Sequence, residues 1–239
     1  MNTPSHRRWQ AVLFDVDGVL LASPHERAWR TALAGFANPA RFTTAFYQTH
    51  VAGKPRLDGA RATLTKLGAA DAAAQAETYA AHKQRVLESL IAAGAFTAFA
   101  DAVRLAQALH ARGIKLAAAS SSKNASAMLR QIRLDGSRSL ADLFDADLSG
   151  REVAHGKPEP DIFLLAAAAL GVAPAGCVLV EDAPAGITAA RAGGMTALGI
   201  ARLGDSALLE TAGADLVVTD LDLVDVDALA AGQLRRRDG

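Results

Sequence analysis

Ala11-Val12-Leu13-Phe14-Asp15-Val16-Asp17-Gly18-Val19-Leu20 decides how this chain is read. Four consecutive apolar residues are too few for a helix and read as a strand buried on both faces. The run then stops on two carboxylates one residue apart. Carboxylates at the end of a buried strand are costly unless cations or hydrogen bonds compensate them. Two readings follow: Asp17-Gly18 is a turn, or the strand delivers negative charge to a site.

Five further short apolar runs follow the same form: Lys115–Ala119, Ala146–Leu148, Cys177–Glu181, Thr196–Ile200 and Leu216–Val218. Between the later ones lie helical patterns at Ala100–Arg112, Ala125–Ile132, Asp161–Leu170, Gly186–Ala192 and Ser206–Ala212. Strand alternating with helix predicts an α/β fold, a Rossmann-like parallel sheet with helices on both faces. The stretch from the first strand to Lys115 breaks the rhythm. It reads as helices alone, at Pro24–Ala34, Pro39–His50, Leu57–Leu67 and Ala72–Ala93. So long a helical block suits an inserted α-helical domain better than a crossover. The expected division is a core of residues 1–22 and 96–239 and a helical cap of residues 23–95.

Composition narrows the function. The chain has 239 residues, of which 25 are basic and 25 acidic, so it lacks the positive surplus of a general nucleic-acid binder. Cys177 is the single cysteine, which excludes an internal disulfide and fits a small buried apolar residue. Phe163 to Val180 carries no charge, but Gly171, Pro174 and Gly176 interrupt it, as a helix, a turn and a strand would. His6, Arg7 and Arg8 precede an apolar run that Asp15 ends too early for a signal peptide. The expectation is a cytoplasmic monomer with no membrane or nucleic-acid partner, and Arg235–Arg237 as a solvated tail.

Three more stretches carry chemistry. Ala119-Ser120-Ser121-Ser122-Lys123-Asn124 precedes a helix, either as a hydroxyl cap or as a phosphate seat. Gly156-Lys157-Pro158-Glu159-Pro160-Asp161 holds a lysine in a stiff proline loop, which suits either a surface lysine or a cation needed in one place. Val178-Leu179-Val180-Glu181-Asp182 again ends an apolar strand on two carboxylates, a pattern suited to a hard cation such as Mg²⁺. In an open parallel sheet the C-terminal strand ends meet in one crevice, so these signals converge.

Together they resemble the haloacid dehalogenase superfamily of phosphoryl-transfer enzymes. Asp15-Val16-Asp17-Gly18-Val19 matches its first motif, Ser120 its second, Lys157 its third and Glu181-Asp182 its fourth. The helical insert resembles that of the subfamily IA, β-phosphoglucomutase-like members. The resemblance implies Asp15 as nucleophile, Asp17 as general acid and base, and Ser120 and Lys157 as phosphoryl holders. It implies Mg²⁺ held by Asp15, the Asp17 carbonyl, Glu181 and Asp182. It places His25, Trp29, Arg56, Lys83, Ser121, Ser122 and Asn124 around a small phosphorylated substrate, such as a sugar phosphate. His25 would interact with Asp17, and Arg56 in the Gly53–Gly59 loop would grip a distal phosphate. The implied reaction is that of a phosphohexomutase; the alternatives are a sugar-phosphate phosphatase, which the shortened hinge Leu20–His25 favours, and a non-catalytic binding module.

Overall fold

A computed structural model describes residues 9–237, so His6, Arg7 and Arg8 lie outside the described residues. The strands are β1 (Ala11–Phe14), β2 (Leu21–Ala22), β3 (Thr97–Ala98), β4 (Lys115–Ala118), β5 (Ala146–Asp147), β6 (Cys177–Glu181), β7 (Thr196–Ile200) and β8 (Leu216–Val218). The helices of the first half are α1 (His25–Ala32), α2 (Thr44–His50), α3 (Arg56–Leu67) and α4 (Ala72–Ala92). Those of the second half are α5 (Ala100–Ala111), α6 (Ala125–Gln131), α7 (Asp161–Ala169), α8 (Pro184–Ala192), α9 (Ser206–Thr211) and α10 (Val226–Ala230).

Six strands form one parallel sheet in the order β5-β4-β1-β6-β7-β8. Side chains alternate across a strand, and the two apolar cores follow that period. Val12, Phe14, Val178 and Val180 join the core shared with Leu105 and Leu109 of α5. Ala11, Leu13, Cys177 and Leu179 join the opposite core, which holds Phe163 of α7 and Ile187 of α8. Cys177 is fully buried, as expected of a small apolar residue. β1 lies between β4 and β6, with Phe14 level with Ala118 on one side and Val180 on the other. Successive crossovers leave β1 in opposite directions, so this is the switch point where a crevice opens.

The four helices α1 to α4 stand between β2 and β3, a two-residue antiparallel pair. They have their own core around Trp29, Leu33, Phe42, Leu64 and Tyr79. The Tyr79 hydroxyl donates to the Trp29 carbonyl at 2.9 Å, joining α4 to α1. The helix expected over Pro39–His50 is broken. Pro39–Arg41 makes a 3₁₀ turn, Phe42 buries its ring, and Thr43 starts α2 by accepting the Phe46 N–H at 3.1 Å. A β-hydroxyl residue caps better than it continues a helix, so Thr43 restarts the chain.

Among the described residues no helix is long and apolar enough to cross a membrane. The uncharged stretch becomes α7, a turn at Gly171 (φ 65°), a 3₁₀ turn and β6. The Arg235–Arg237 tail is exposed but not merely solvated. Arg235 pairs with Asp225 at 2.7 Å, Arg236 donates to the Val217 carbonyl at 2.6 Å, and the Arg237 N–H donates to the Leu223 carbonyl at 2.7 Å.

One polar knot ties the loop after β1 to the start of α5. Asp101 accepts two bonds from Arg202, at 3.0 and 3.1 Å, and the N–H groups of Ala102 and Leu221 at 2.9 and 2.8 Å. Arg202 also donates to the carbonyls of Gly18 and Val19, at 3.0 and 3.1 Å. Burial pushes the Asp101 carboxyl up, but the bonds from Arg202, Leu221 and Ala102 outweigh it and leave its pKa below the ordinary 3.8. Removing one partner strands a largely buried charge, so Asp101→Ala should cost about 3 kcal/mol in urea unfolding at pH 7. A depressed pKa contributes stability that is present above the unfolded value and lost as pH falls through the folded one. The difference between wild type and variant should therefore narrow as pH drops below 3.8.

Candidate active site

The core half of the site follows from strand parity. Asp15 and Glu181 fall on the same alternation as Leu13 and Leu179, toward the face that α7 covers. Lys157 lies in the loop leading into α7, and its ammonium sits 4.7 Å from the centre of the Phe163 ring. It donates to Asp15 Oδ1 at 2.8 Å and to Glu181 Oε1. Glu181 Oε2 accepts the Ala183 N–H at 2.8 Å. Asp15, Lys157 and Glu181 are all buried.

Asp17 lies beside this triad. Its Oδ2 accepts from the Ser120 hydroxyl at 3.0 Å, and Ser120 Oγ itself accepts the Ser122 N–H at 3.0 Å. Ser122 Oγ accepts the Asn124 N–H at 3.3 Å, so two N–H groups of this expected phosphate seat are engaged within the loop. His25 Nε2 stands 3.5 Å from Asp17 Oδ1, so the short hinge still brings the histidine to the aspartate. The Lys83 ammonium is 3.2 Å from His25 Nδ1. An ammonium can only donate, so Nδ1 accepts and the imidazole proton belongs on Nε2, facing Asp17. Burial, partly opposed by Asp17, lowers the His25 pKa to about 4 and keeps the ring neutral at pH 7. Burial likewise lowers Lys83 to about 8.

A cleft of about 290 Å³ joins these groups. Asp15, Asp17, Ser120, Lys157 and Asp182 line its core side; His25, Trp29, Arg56 and Lys83 line the insert side; Ser121, Ser122 and Asn124 lie at its edge. Two of the expected site residues differ in character, and one of them, Glu181, is not among the residues lining the cleft. Trp29 is only 3% exposed, packs on Tyr79, and has the Lys83 ammonium 4.9 Å from the centre of its ring, so it is first a core residue of the insert. Glu181 has both oxygens engaged by Lys157 and Ala183, which makes it the lysine's anchor before it is a metal ligand.

Tyr47 and Lys54 are among the lining residues to which the sequence reading gave no role. Tyr47 on α2 lines the cleft, and burial, then Asp182 and Asp17, push its phenol well above its ordinary value, so it stays protonated. Lys54 also lines it and donates to the His50 carbonyl at 2.8 Å. A tyrosine beside Phe46 on a short helix reads as core packing, so nothing in its spacing marks it.

The residues fit a hard divalent cation. Asp15, Glu181 and Asp182 each offer a carboxylate oxygen within 4.8 Å of the others. Burial first, then the neighbouring carboxylates, push Asp182 well above its ordinary pKa, and the same two effects, against Lys157, raise Asp15 to about 7. Asp15, Glu181 and Asp182 thus crowd around the single ammonium of Lys157, an excess of carboxylate that a divalent ion would offset. Gly18, at φ 92°, leaves the room: a Cβ there would fall 1.9 Å from Asp182 Oδ2.

Comparison with known proteins agrees with this geometry. Residues 9–194 match the haloacid dehalogenase-like hydrolases. A β-phosphoglucomutase of Mycobacterium bovis is 36% identical over 237 residues, covering 89% of this chain and 90% of its own. A fructose-1-phosphate phosphatase of Escherichia coli is 32% identical, covering 82% and 98%. The crystal structure of a β-phosphoglucomutase from the archaeon Pyrococcus superposes with a TM-score of 0.73 at 31% identity, covering 93% and 99%.

The Lys157 anchor can be tested by itself. An amide has one acceptor oxygen, so Glu181→Gln must turn an NH₂ toward either the Lys157 ammonium or the Ala183 N–H. The mismatch should cost about 1 to 3 kcal/mol in urea unfolding, with a fall in turnover as Lys157 loses its place.

Proposed function

The chain belongs to the haloacid dehalogenase-like hydrolases, and from that premise we propose that this enzyme is a Mg²⁺-dependent, β-phosphoglucomutase-like phosphohexomutase. Its substrate would be a small sugar phosphate, handled in the cytoplasm by a monomer. The observation that carries the reading is the two-ended cleft. Lys157 and Ser120 wait at the core end, while Arg56 and Lys83 face them from the insert. A sugar carrying two phosphates needs cationic groups at both ends; a single phosphate needs them at one.

In this reading an Asp15 oxygen bonds to phosphorus as the bond from phosphorus to the sugar oxygen breaks, giving an aspartyl-phosphate. The leaving oxygen takes its proton from Asp17, and the accepting hydroxyl later returns one to Asp17 as it attacks. The neutral His25 stands with Nε2 3.5 Å from Asp17 Oδ1, while the Ser120 hydroxyl donates to Asp17 Oδ2 and holds the carboxyl from the core. Lys157 and Ser120 hold phosphoryl oxygens while charge moves. Asp15, Asp182 and the backbone carbonyl of Asp17 would hold Mg²⁺, which supplies charge neutralisation for attack of one anion on another. Residues 23–95 would act as a cap that keeps water out while the bisphosphate turns round. A phosphatase using the same core is the second reading, favoured by the fructose-1-phosphate phosphatase relative.

Arg56→Ala separates the two. Arg56 is exposed, and a hydrogen bond to a charged group contributes about 1.5 to 3 kcal/mol, so conversion between sugar-phosphate isomers, followed by NMR, should fall roughly tens-fold. Phosphate release, followed by colorimetry, should persist. A wild type that only releases phosphate, at a rate indifferent to Arg56→Ala, would establish the phosphatase instead.

The cation reading has a test that needs no turnover. A ligand that binds only the folded state raises its melting temperature. Millimolar Mg²⁺ should raise that of wild type and leave Asp182→Ala unmoved; equal shifts in both proteins would remove Asp182 from the cation's shell.

A further inference from the structure

The insert loop 51–56 meets the core where glycines leave out a side chain. A Cβ built on Gly156, in the core loop before Lys157, would lie 2.0 Å from Cγ and 2.6 Å from Cδ of Pro55. Carbon atoms touch at about 3.5 to 4.0 Å, so there is no room for one methyl group. A Cβ on Gly53 would lie 3.3 Å from the Ala183 Cβ and 3.6 Å from Lys157 Cδ. The Ser121 hydroxyl meets the Gly53 carbonyl at 3.4 Å.

The two glycines differ in kind. Gly53 has φ 76°, a conformation that asks for glycine whatever the surroundings. Gly156 is absent from the positive-φ residues, so its backbone accepts any side chain. What asks for glycine at Gly156 is Pro55. The contact lies next to Lys157, whose ammonium holds Asp15, and next to Arg56, the first residue of α3.

We propose that the contact of Gly156 with Pro55 is the stop that sets how far the insert closes over Asp15, and that it thereby chooses the phosphoryl acceptor. The choice of acceptor rests on the phosphohexomutase reading above. With the stop at its present depth, a sugar hydroxyl attacks phosphorus, the bond to the Asp15 oxygen breaks, and the hydroxyl proton passes to Asp17. With the insert held further out, water makes the same attack, gives its proton to Asp17 and leaves as inorganic phosphate. Gly156 and Pro55 are positioning residues here, since neither reacts.

The test is a double-variant cycle of Gly156→Ala, Pro55→Ala and both together. Pro55→Ala deletes the two atoms a new methyl group would strike and leaves Pro55 Cβ, at 3.4 Å, as an ordinary contact. A misplacement of about 1 Å typically costs about a hundredfold in rate. Gly156→Ala should therefore lower isomer conversion about a hundredfold while phosphate release holds or rises. Amide hydrogen exchange in residues 51–56, measured with Mg²⁺ present, should quicken. In the Pro55→Ala background the same alanine should change neither the product ratio nor the exchange. Equal effects in both backgrounds, or unchanged exchange in Gly156→Ala, would overturn the stop. A wild type without isomer conversion would overturn the mutase reading, while the exchange measurements still decide whether the contact sets closure.

Discussion

The Lys157 ammonium, shared by Asp15 and Glu181, is the contact on which the rest of the structure depends. Lys157 reaches Asp15 and Glu181 from a loop that belongs to neither of their strands. The pairing of β1 with β6 sets Phe14 beside Val180, and that register delivers Asp15 and Glu181 to the same height on the same face. Because a buried carboxylate without compensation is costly, the loop before α7 stabilises the sheet by bringing Lys157 to these two strand ends. The Phe163 ring beneath the ammonium and the Ala183 N–H on Glu181 complete the arrangement from α7 and from the turn into α8. Fold and site therefore share one constraint: the strand ends that bear the chemistry meet only if the parallel sheet is in register.

The same constraint explains what could be read without coordinates. The central strands β1 and β6 are short apolar runs closed by carboxylates, and they were legible because a central parallel strand is buried on both faces. Asp15, Asp17, Ser120, Lys157 and the Glu181-Asp182 pair were legible because polar residues at such strand ends have few bland explanations when four sets converge. The insert was different. His25, Arg56 and Lys83 were placed by family resemblance, since a histidine or a lysine on a helix carries no signature of its own. Tyr47 went unread because an aromatic on a short amphipathic helix looks like packing. The break at Phe42–Thr43 was missed because apolar spacing runs through it, while the hydroxyl that restarts the helix is one residue among several polar ones. The hinge Leu20–His25 is short, yet the resemblance put His25 against Asp17. In the folded chain the 3.5 Å separation shows that helix α1 makes up the distance by starting at His25 itself.

The two sides of the hinge differ in how firmly they are held, and the difference suits an enzyme whose lid must move over fixed chemistry. β2 and β3 pair over two residues each, and Ala22 and Thr97 are exposed, so the joint carries little buried area and few bonds. The core ends of both connections are tied down instead. Arg202 holds the carbonyls of Gly18 and Val19 and, through Asp101, the first turn of α5, with the Phe99 ring 3.7 Å from its guanidinium carbon. The Phe99 N–H donates to the Leu20 carbonyl at 2.9 Å and closes the circuit. The insert thereby joins the core through Leu21 on one strand and Ala98 on the other, next to backbone that these bonds hold. Asp17, one residue before Gly18, sits on the core side of that joint, while His25, the first residue of α1, sits on the insert side. Asp17 is thus held by Ser120 from the core while His25 approaches it from the insert, so the two halves of the cleft meet at this one carboxyl.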